Sequence, residues 1–119
     1  MALPAYPASP FPATPTAIIT GGASERGIGR ATADRLAREG WAVAVLDLNE
    51  EASRQVAEEI ASKHGTPTLG LGVDISDEQA VVDAVARIDQ ELPQVVGVVN
   101  NAGISSPTPF TEVSTEEWK

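Results

Sequence analysis

The stretch Thr20-Gly21-Gly22-Ala23-Ser24-Glu25-Arg26-Gly27-Ile28-Gly29 constrains the chain more than any other. Ala17-Ile18-Ile19 precedes it and reads as a short buried strand. Residues 30–38 follow it and read as a helix. Glycines let a strand-to-helix connection turn tightly and bring its backbone close to a ligand. The first N–H groups of the following helix then point at negative charge. A phosphate is the ligand such a turn suits.

The rest of the chain reads as a regular continuation. Ala31, Leu36 and Ala37 form an apolar stripe on the first helix, which Gly40 ends. Residues 41–47 are apolar up to Asp47, as expected of a strand buried on both faces. Asn49 is an N-cap for a helix over 50–63, with Ala52, Val56 and Ile60 facing inward. Residues 68–74 read as a third strand. Ser76 and Gln79 form a capping-box pattern ahead of a helix with Ala80, Val81, Ala84, Val85 and Ile88 on one face, closed by Pro93. Residues 95–99 read as a fourth strand, followed by Asn100-Asn101-Ala102-Gly103. Ser114 and Glu117 open another helix with a capping-box pattern. Strict β-α alternation with right-handed crossovers predicts an α/β, Rossmann-type doubly wound parallel sheet, here four strands in the order 3-2-1-4.

Residues 1–15 carry Pro4, Pro7, Pro10, Pro12 and Pro15 and no charged side chain. They are expected to form a disordered or polyproline-like leader ahead of a domain over 16–119. With 119 residues the chain has room for one domain. A formal net charge of −9 argues against nucleic-acid or anionic-membrane partners, which need a basic face. There is no cysteine, which excludes disulfides, thiolate metal sites and Cys nucleophiles. No metal site is expected. The one histidine, His64, beside Gly65, reads as an exposed loop residue without a role. No apolar run reaches membrane-spanning length, and a cytoplasmic protein is expected.

Two familiar phosphate turns fail on the residues they require. Gly22 to Gly27 has the glycine separation of a P-loop, but Ile28 and Gly29 stand where Lys and Ser or Thr are needed. The ordinary dinucleotide fingerprint needs another Gly where Thr32 stands. The wider pattern is more specific. Thr20-Gly21, Gly27-Ile28-Gly29 and Ala33 resemble the glycine turn of the short-chain dehydrogenase/reductase family. Asn100-Asn101-Ala102-Gly103 resembles that family's motif after strand four, and Asp74-Ile75 its adenine-contacting pair. The resemblance runs from Ala17 to Lys119. It departs from the family's usual turn in length, with five residues between Gly21 and Gly27.

The resemblance implies a nicotinamide dinucleotide cofactor, contacted by Gly21, Ser24, Arg26, Gly27, Ile28 and Gly29 at its pyrophosphate side. Asp74 would accept from the adenine amine, Ile75 would flank the ring, and Asn101, Ala102 and Gly103 would line the adenosine side. Asn100 would tie neighbouring strands by side-chain hydrogen bonds. Asp47 lies eighteen residues after Gly29, near the roughly 20-residue spacing at which an acidic residue binds the ribose hydroxyls of NAD. Arg26 favours the 2′-phosphate of NADP. NAD is expected, because a phosphate beside Asp47 meets like charge.

In the family, a Tyr general acid/base, a nearby Lys and an orienting Ser follow the helix that begins here near Thr115. The only tyrosine of this chain is Tyr6. The chain is therefore expected to be the N-terminal part of an NAD(P)-dependent oxidoreductase of alcohols or carbonyls. It would hold a cofactor half-site without catalytic residues, and the full-length form would be a homo-oligomer. The alternative is a non-catalytic nucleotide-binding or interaction module complete at Lys119.

Overall fold

The computed structural model describes residues 11–118, so most of the proline-rich leader lies outside the described residues. Residues 11–15 form neither helix nor strand, and the Pro15 carbonyl accepts the Ala42 N–H at 2.9 Å. The element order is β1 (Thr16–Thr20), α1 (Ile28–Arg38), β2 (Ala42–Asp47), α2 (Glu50–His64), β3 (Thr68–Gly72), α3 (Glu78–Glu91), β4 (Val95–Val99), a 3-10 turn (Phe110–Glu112) and α4 (Thr115–Trp118). The sheet is parallel throughout and ordered β3-β2-β1-β4, as the alternation predicts. β4 pairs with β1 alone among the described residues. Thr16 stands opposite Val95 and Ala17 opposite Gly97, so a bulge at Val96 shifts the register.

The apolar strands still obey the period-2 rule, because each face meets a different helix layer. Ala17, Ile19, Val43 and Val45 pack against Ala33 and Ala37 of α1 and Val56 and Ile60 of α2. Ile18, Ala44, Leu46 and Leu71 pack against Ala84 and Ile88 of α3. α1 and α2 therefore share one face and α3 covers the other. Small residues bring α2 close to the sheet. A Cβ on Gly70 would lie 2.2 Å from the Ser53 carbonyl oxygen, and one on Gly72 2.6 Å from Glu50 Cβ.

Several local expectations are corrected. The buried stripe of α2 is Ser53, Val56, Ala57 and Ile60, and Ala52 is only half-buried. Val85 of α3 is exposed, because α3 meets the sheet along Ala84 and Ile88. Asp77, not Ser76, caps α3, accepting the Ala80 N–H at 3.1 Å. The Ser76 hydroxyl is taken up by Asp74 at 2.6 Å. β3 ends at Gly72, short of Asp74.

His64 is not an exposed loop residue. It is the last residue of α2, with a side chain only 12% exposed. Its Nε2 lies 3.0 Å from Asp34 Oδ1 on α1. A carboxylate only accepts, so Nε2 carries the proton in this bond. Lys63 Nζ donates to the same oxygen at 3.1 Å. Arg30 of α1 pairs with Glu59 of α2 one turn nearer the start of α1. The two helices on this face are thus pinned together at two levels.

Two outcomes follow. Gly70→Ala should cost about 1–3 kcal/mol, because the methyl group meets backbone that has no room to yield, read as a lower denaturant midpoint at unchanged m-value. The His64 hydrogen bond, then Lys63, hold the Asp34 carboxyl below its ordinary value, with partial burial opposing. A depressed carboxyl contributes stability above the ordinary carboxylate range and loses it as pH falls through the lowered value. Asp34→Asn should therefore flatten the acid limb of a stability-against-pH curve, and an unchanged limb would refute the assignment.

Candidate functional site

Parallel strands put all their carboxyl ends on one edge, so the motifs that follow β1, β2, β3 and β4 share that edge. The tie between them is made by Thr20 and Asn101. Asn101 Nδ2 donates to the carbonyls of Thr20 at 3.2 Å and Gly21 at 3.0 Å. The backbone N–H groups of Asn101 and Ala102 donate to Thr20 Oγ1 at 3.1 and 3.0 Å. Thr20 Oγ1 itself donates to the Val99 carbonyl at 3.4 Å. One hydroxyl has one donor and two acceptor sites, and all three are used. Asn100 is exposed and does not make the strand tie expected of it. The chain turns after Val99 so that Asn101, not Asn100, faces β1.

The glycines of the turn are dictated by this packing. Gly21 has φ +69, and a Cβ there would lie 2.7 Å from Ala102 Cα. A Cβ on Gly29 would lie 2.5 Å from Asn101 Nδ2 and 2.7 Å from the Gly21 carbonyl oxygen. The turn leaves β1 along the end of β2, with the Gly21 N–H donating to the Leu46 carbonyl at 2.7 Å. The Ala23 N–H donates to Asp47 Oδ2 at 3.1 Å. The Gly27 N–H closes onto the Ser24 carbonyl at 2.9 Å. Ser24, Arg26 and Ile28 are exposed on the outer side of the turn.

Gly27 is the N-cap of α1 and offers no side-chain cap, and the first turn of α1 carries no acid. The N–H groups of that turn have no partner within the helix. α2 and α3 differ. Their caps Asn49 and Asp77 accept N–H groups of their helices, and Glu50, Glu51 and Glu78 occupy their first turns. The open, uncapped helix end is the one at the glycine turn.

Of the remaining expected residues, Ala102 lies against Gly21 of the turn, whereas Asp74 and Ile75 follow β3 on the same edge. Asp74 is exposed, and its Oδ1 accepts from the Ser76 N–H at 2.9 Å and the Ser76 hydroxyl at 2.6 Å. Those two bonds, the hydroxyl first, hold the Asp74 carboxyl below its ordinary value. Ile75 is half-exposed, Ala102 is partly covered, and Gly103 is exposed. A groove of about 410 Å³ lies beside the turn between α1 and α2. Of the expected residues only Arg26 and Gly27 line it, with Arg30, Asp34, Glu59 and Lys63. Its cations Arg30 and Lys63 are paired with Glu59 and Asp34, and neither Asp47 nor Asn101 lines it. Among the described residues no three His, Cys, Asp or Glu side chains group as a metal site, and no helix is long and apolar enough to cross a membrane. Thr20 and Ala23 are the structural participants that the residue pattern did not single out as contacts.

Thr20→Val keeps the shape of the side chain, orphans the Ala102 N–H and leaves the Asn101 N–H only its bond to the Val99 carbonyl. It should cost about 1–3 kcal/mol in chemical denaturation, and a loss well below that range would mean the orphaned N–H finds water instead.

Comparison with known proteins agrees with this arrangement. A family profile described as short chain dehydrogenase matches residues 15–119. The chain is 37% identical over 103 residues to a sorbitol dehydrogenase of Cereibacter sphaeroides, covering 87% of this chain and 38% of that protein. It is 35% identical over 102 residues to a 3-oxoacyl-[acyl-carrier-protein] reductase of Aquifex aeolicus, covering 86% and 40% respectively. Among solved structures, L-sorbose reductase from Gluconobacter frateurii, complexed with NADPH and L-sorbose, superposes with a TM-score of 0.79 at 28% identity. That match covers 88% of this chain and 39% of the reductase. The chain thus spans about two fifths of the length of these relatives.

Proposed function

The chain belongs to the short-chain dehydrogenase family, and from that premise we propose that it binds a nicotinamide dinucleotide at the carboxyl edge of its sheet. It would serve there as the cofactor-holding part of an oxidoreductase of alcohols or carbonyls. The observation that carries this reading is the uncapped N-terminus of α1, held beside Asp47 and Asn101. A pyrophosphate needs N–H donors and positive potential, which Ile28 and Gly29 offer together with the helix dipole, while Gly27, whose own N–H is taken by Ser24, lets the backbone come close. Ser24 and Arg26 border the same turn, and Gly21 shapes it. The adenosine ribose needs an acceptor, which the Asp47 carboxylate offers at the end of β2. Asp74 and Ile75 would face the adenine, and Ala102 and Gly103 would border the nucleoside. The two Nδ2 hydrogens of Asn101 are already spent on Thr20 and Gly21, so it would border the nucleoside through the rest of its side chain. When bound, the nicotinamide supplies or accepts the hydride, and the residues named here bind and orient it.

The choice between NAD and NADP turns on two side chains. Asp47 places negative charge where a 2′-phosphate would sit, which favours NAD. Arg26 is exposed and makes no ion pair among the described residues, which favours NADP. The sorbose reductase is a relative that holds NADPH. We take Asp47 to dominate, because it is anchored by the Ala23 N–H, whereas a free surface Arg gives up rotamer entropy on pairing.

Calorimetric titration of the chain should therefore give a smaller dissociation constant for NAD than for NADP. Asp47→Ala should narrow or reverse the difference. Tighter NADP binding by the unaltered chain would sink the NAD assignment but not the dinucleotide site. With neither a Tyr-Lys pair nor a substrate-orienting Ser matching the family, the chain should show no nicotinamide-dependent turnover of alcohols or carbonyls. A protein-dependent change in nicotinamide absorbance would contradict that.

A further inference from the structure

Asp47 is bonded in a way that its ribose role does not require. Its Oδ2 accepts the Ala23 N–H at 3.1 Å, across 24 residues of sequence. Its own backbone is fixed, since the Asp47 carbonyl accepts the Val73 N–H at 2.8 Å beside the end of β3. The turn it holds has five residues between Gly21 and Gly27, two of them beyond the length usual for such turns. Gly21 and Gly22 are tied to the Leu46 carbonyl, and Gly27 to Ser24 within the turn. Among the described residues, the Ala23–Asp47 bond is the one hydrogen bond from a side chain of another element to the residues between Gly21 and Gly27. Without it the segment from Ala23 to Arg26 hangs from its two ends.

We propose that Asp47 is also the positioning residue of the glycine turn: its Oδ2 latches the Ala23 amide and holds the lengthened turn in its anion-binding shape before any nucleotide arrives. This rests on the dinucleotide reading above and adds a second role to the same carboxylate. The two roles use different oxygens. Oδ2 is committed to Ala23, while Oδ1 makes no hydrogen bond among the described residues and is left to meet a ribose hydroxyl. A carboxylate accepting a backbone N–H is a charge-assisted bond, stronger than its neutral counterpart. Ordering the turn in advance removes part of the entropy that binding would otherwise cost. Affinity for the pyrophosphate then depends on Asp47 even where the ribose contact is absent.

The test separates the latch from the ribose contact. Amide exchange followed by NMR in the 119-residue chain reads Ala23 directly. Asp47→Ala should speed exchange at Ala23 by at least about tenfold, the order expected for loss of one charge-assisted hydrogen bond. Asp47→Asn keeps an oxygen that accepts the same N–H and should retain most of the protection. An unchanged Ala23 rate in Asp47→Ala overturns the proposal. If Asp47→Ala loosens the whole sheet, so that Ile18 and Val45 exchange equally fast, Asp47→Asn decides. Protection retained at Ala23 supports the latch, and protection lost there over an intact sheet overturns it. The second readout is affinity for an adenosine diphosphate analogue lacking both ribose hydroxyls. The latch requires Asp47→Ala to weaken it several-fold and Asp47→Asn to leave it near the unaltered value. A pure ribose acceptor would leave it unchanged in both variants. Failure of the unaltered chain to bind any of these nucleotides defeats the dinucleotide reading, and the exchange rates still judge the latch.

Discussion

The carboxyl edge of the sheet depends on one side-chain amide. The ladder between β1 and β4 ends with Ile19 opposite Val99, and the next two carbonyls, of Thr20 and Gly21, then point where no strand answers them. A covered carbonyl without a partner costs free energy comparable to a lost hydrogen bond. Asn101 Nδ2 answers both at once. The Thr20 hydroxyl returns the bond by accepting from Asn101 and Ala102. The reciprocal pair continues the ladder past the point where backbone pairing stops, and so fixes where the glycine turn departs relative to β4.

The same contact explains why glycine is required at positions that a ligand-based argument assigns to the ligand. Gly29 must lack a side chain because Asn101 and the Gly21 carbonyl occupy its Cβ space. Gly21 must lack one because Ala102 does, and its positive φ is the conformation that L side chains avoid. Gly27 is different. A Cβ there would sit 3.0 Å from Ser24 Cβ, within the turn itself, where a neighbour on the exposed side has room to shift. The Asn101 amide and the glycines at 21 and 29 form one device. Changing any one of them leaves either a clash or an unanswered carbonyl.

Much of this was legible in the sequence, and the failures have physical causes. The period of apolar residues and the β-α alternation gave the order 3-2-1-4, because right-handed crossovers leave few other parallel arrangements. The turn and the residues after β4 were recognisable because their chemistry is local. Caps and faces were harder. Ser76 lost the α3 cap to Asp77 because Asp74, two residues away, offered its hydroxyl a charged acceptor. His64 reads as a loop residue in the sequence because its partner, Asp34, is 30 residues distant and no local pattern announces that α1 and α2 lie side by side. The same holds for Gly70 and Gly72, whose need appears only when α2 is laid against β3. The Ala23 amide carries no side-chain signal, so its bond to Asp47 could be found only in three dimensions.

A net charge of −9 sits uneasily with an anionic ligand until the charge is located. Acids occupy the first turns of α2 and α3, where they complement helix dipoles and, with the caps Asn49 and Asp77, neutralise the anion-attracting ends. α1 lacks both the acid and the cap. Of its charges, Arg30 and Asp34 lie toward α2, where they are already paired with Glu59 and with Lys63 and His64, and Arg35 and Arg38 stand in its last turn. Those pairs spend their fields on one another at short range, and salt screens what remains beyond about 10 Å at 0.1 M. The uncapped amides at the glycine turn are therefore the place on this edge where an anion gains local backbone donors without displacing a side chain. Asp47 ends β2 beside the turn with one oxygen held by the Ala23 N–H. Acidity in bulk and an anion-accepting end at one turn are compatible because backbone dipoles act over the length of a single helical turn, while the carboxylates, Glu25 of the turn and Asp47 apart, stand on other elements.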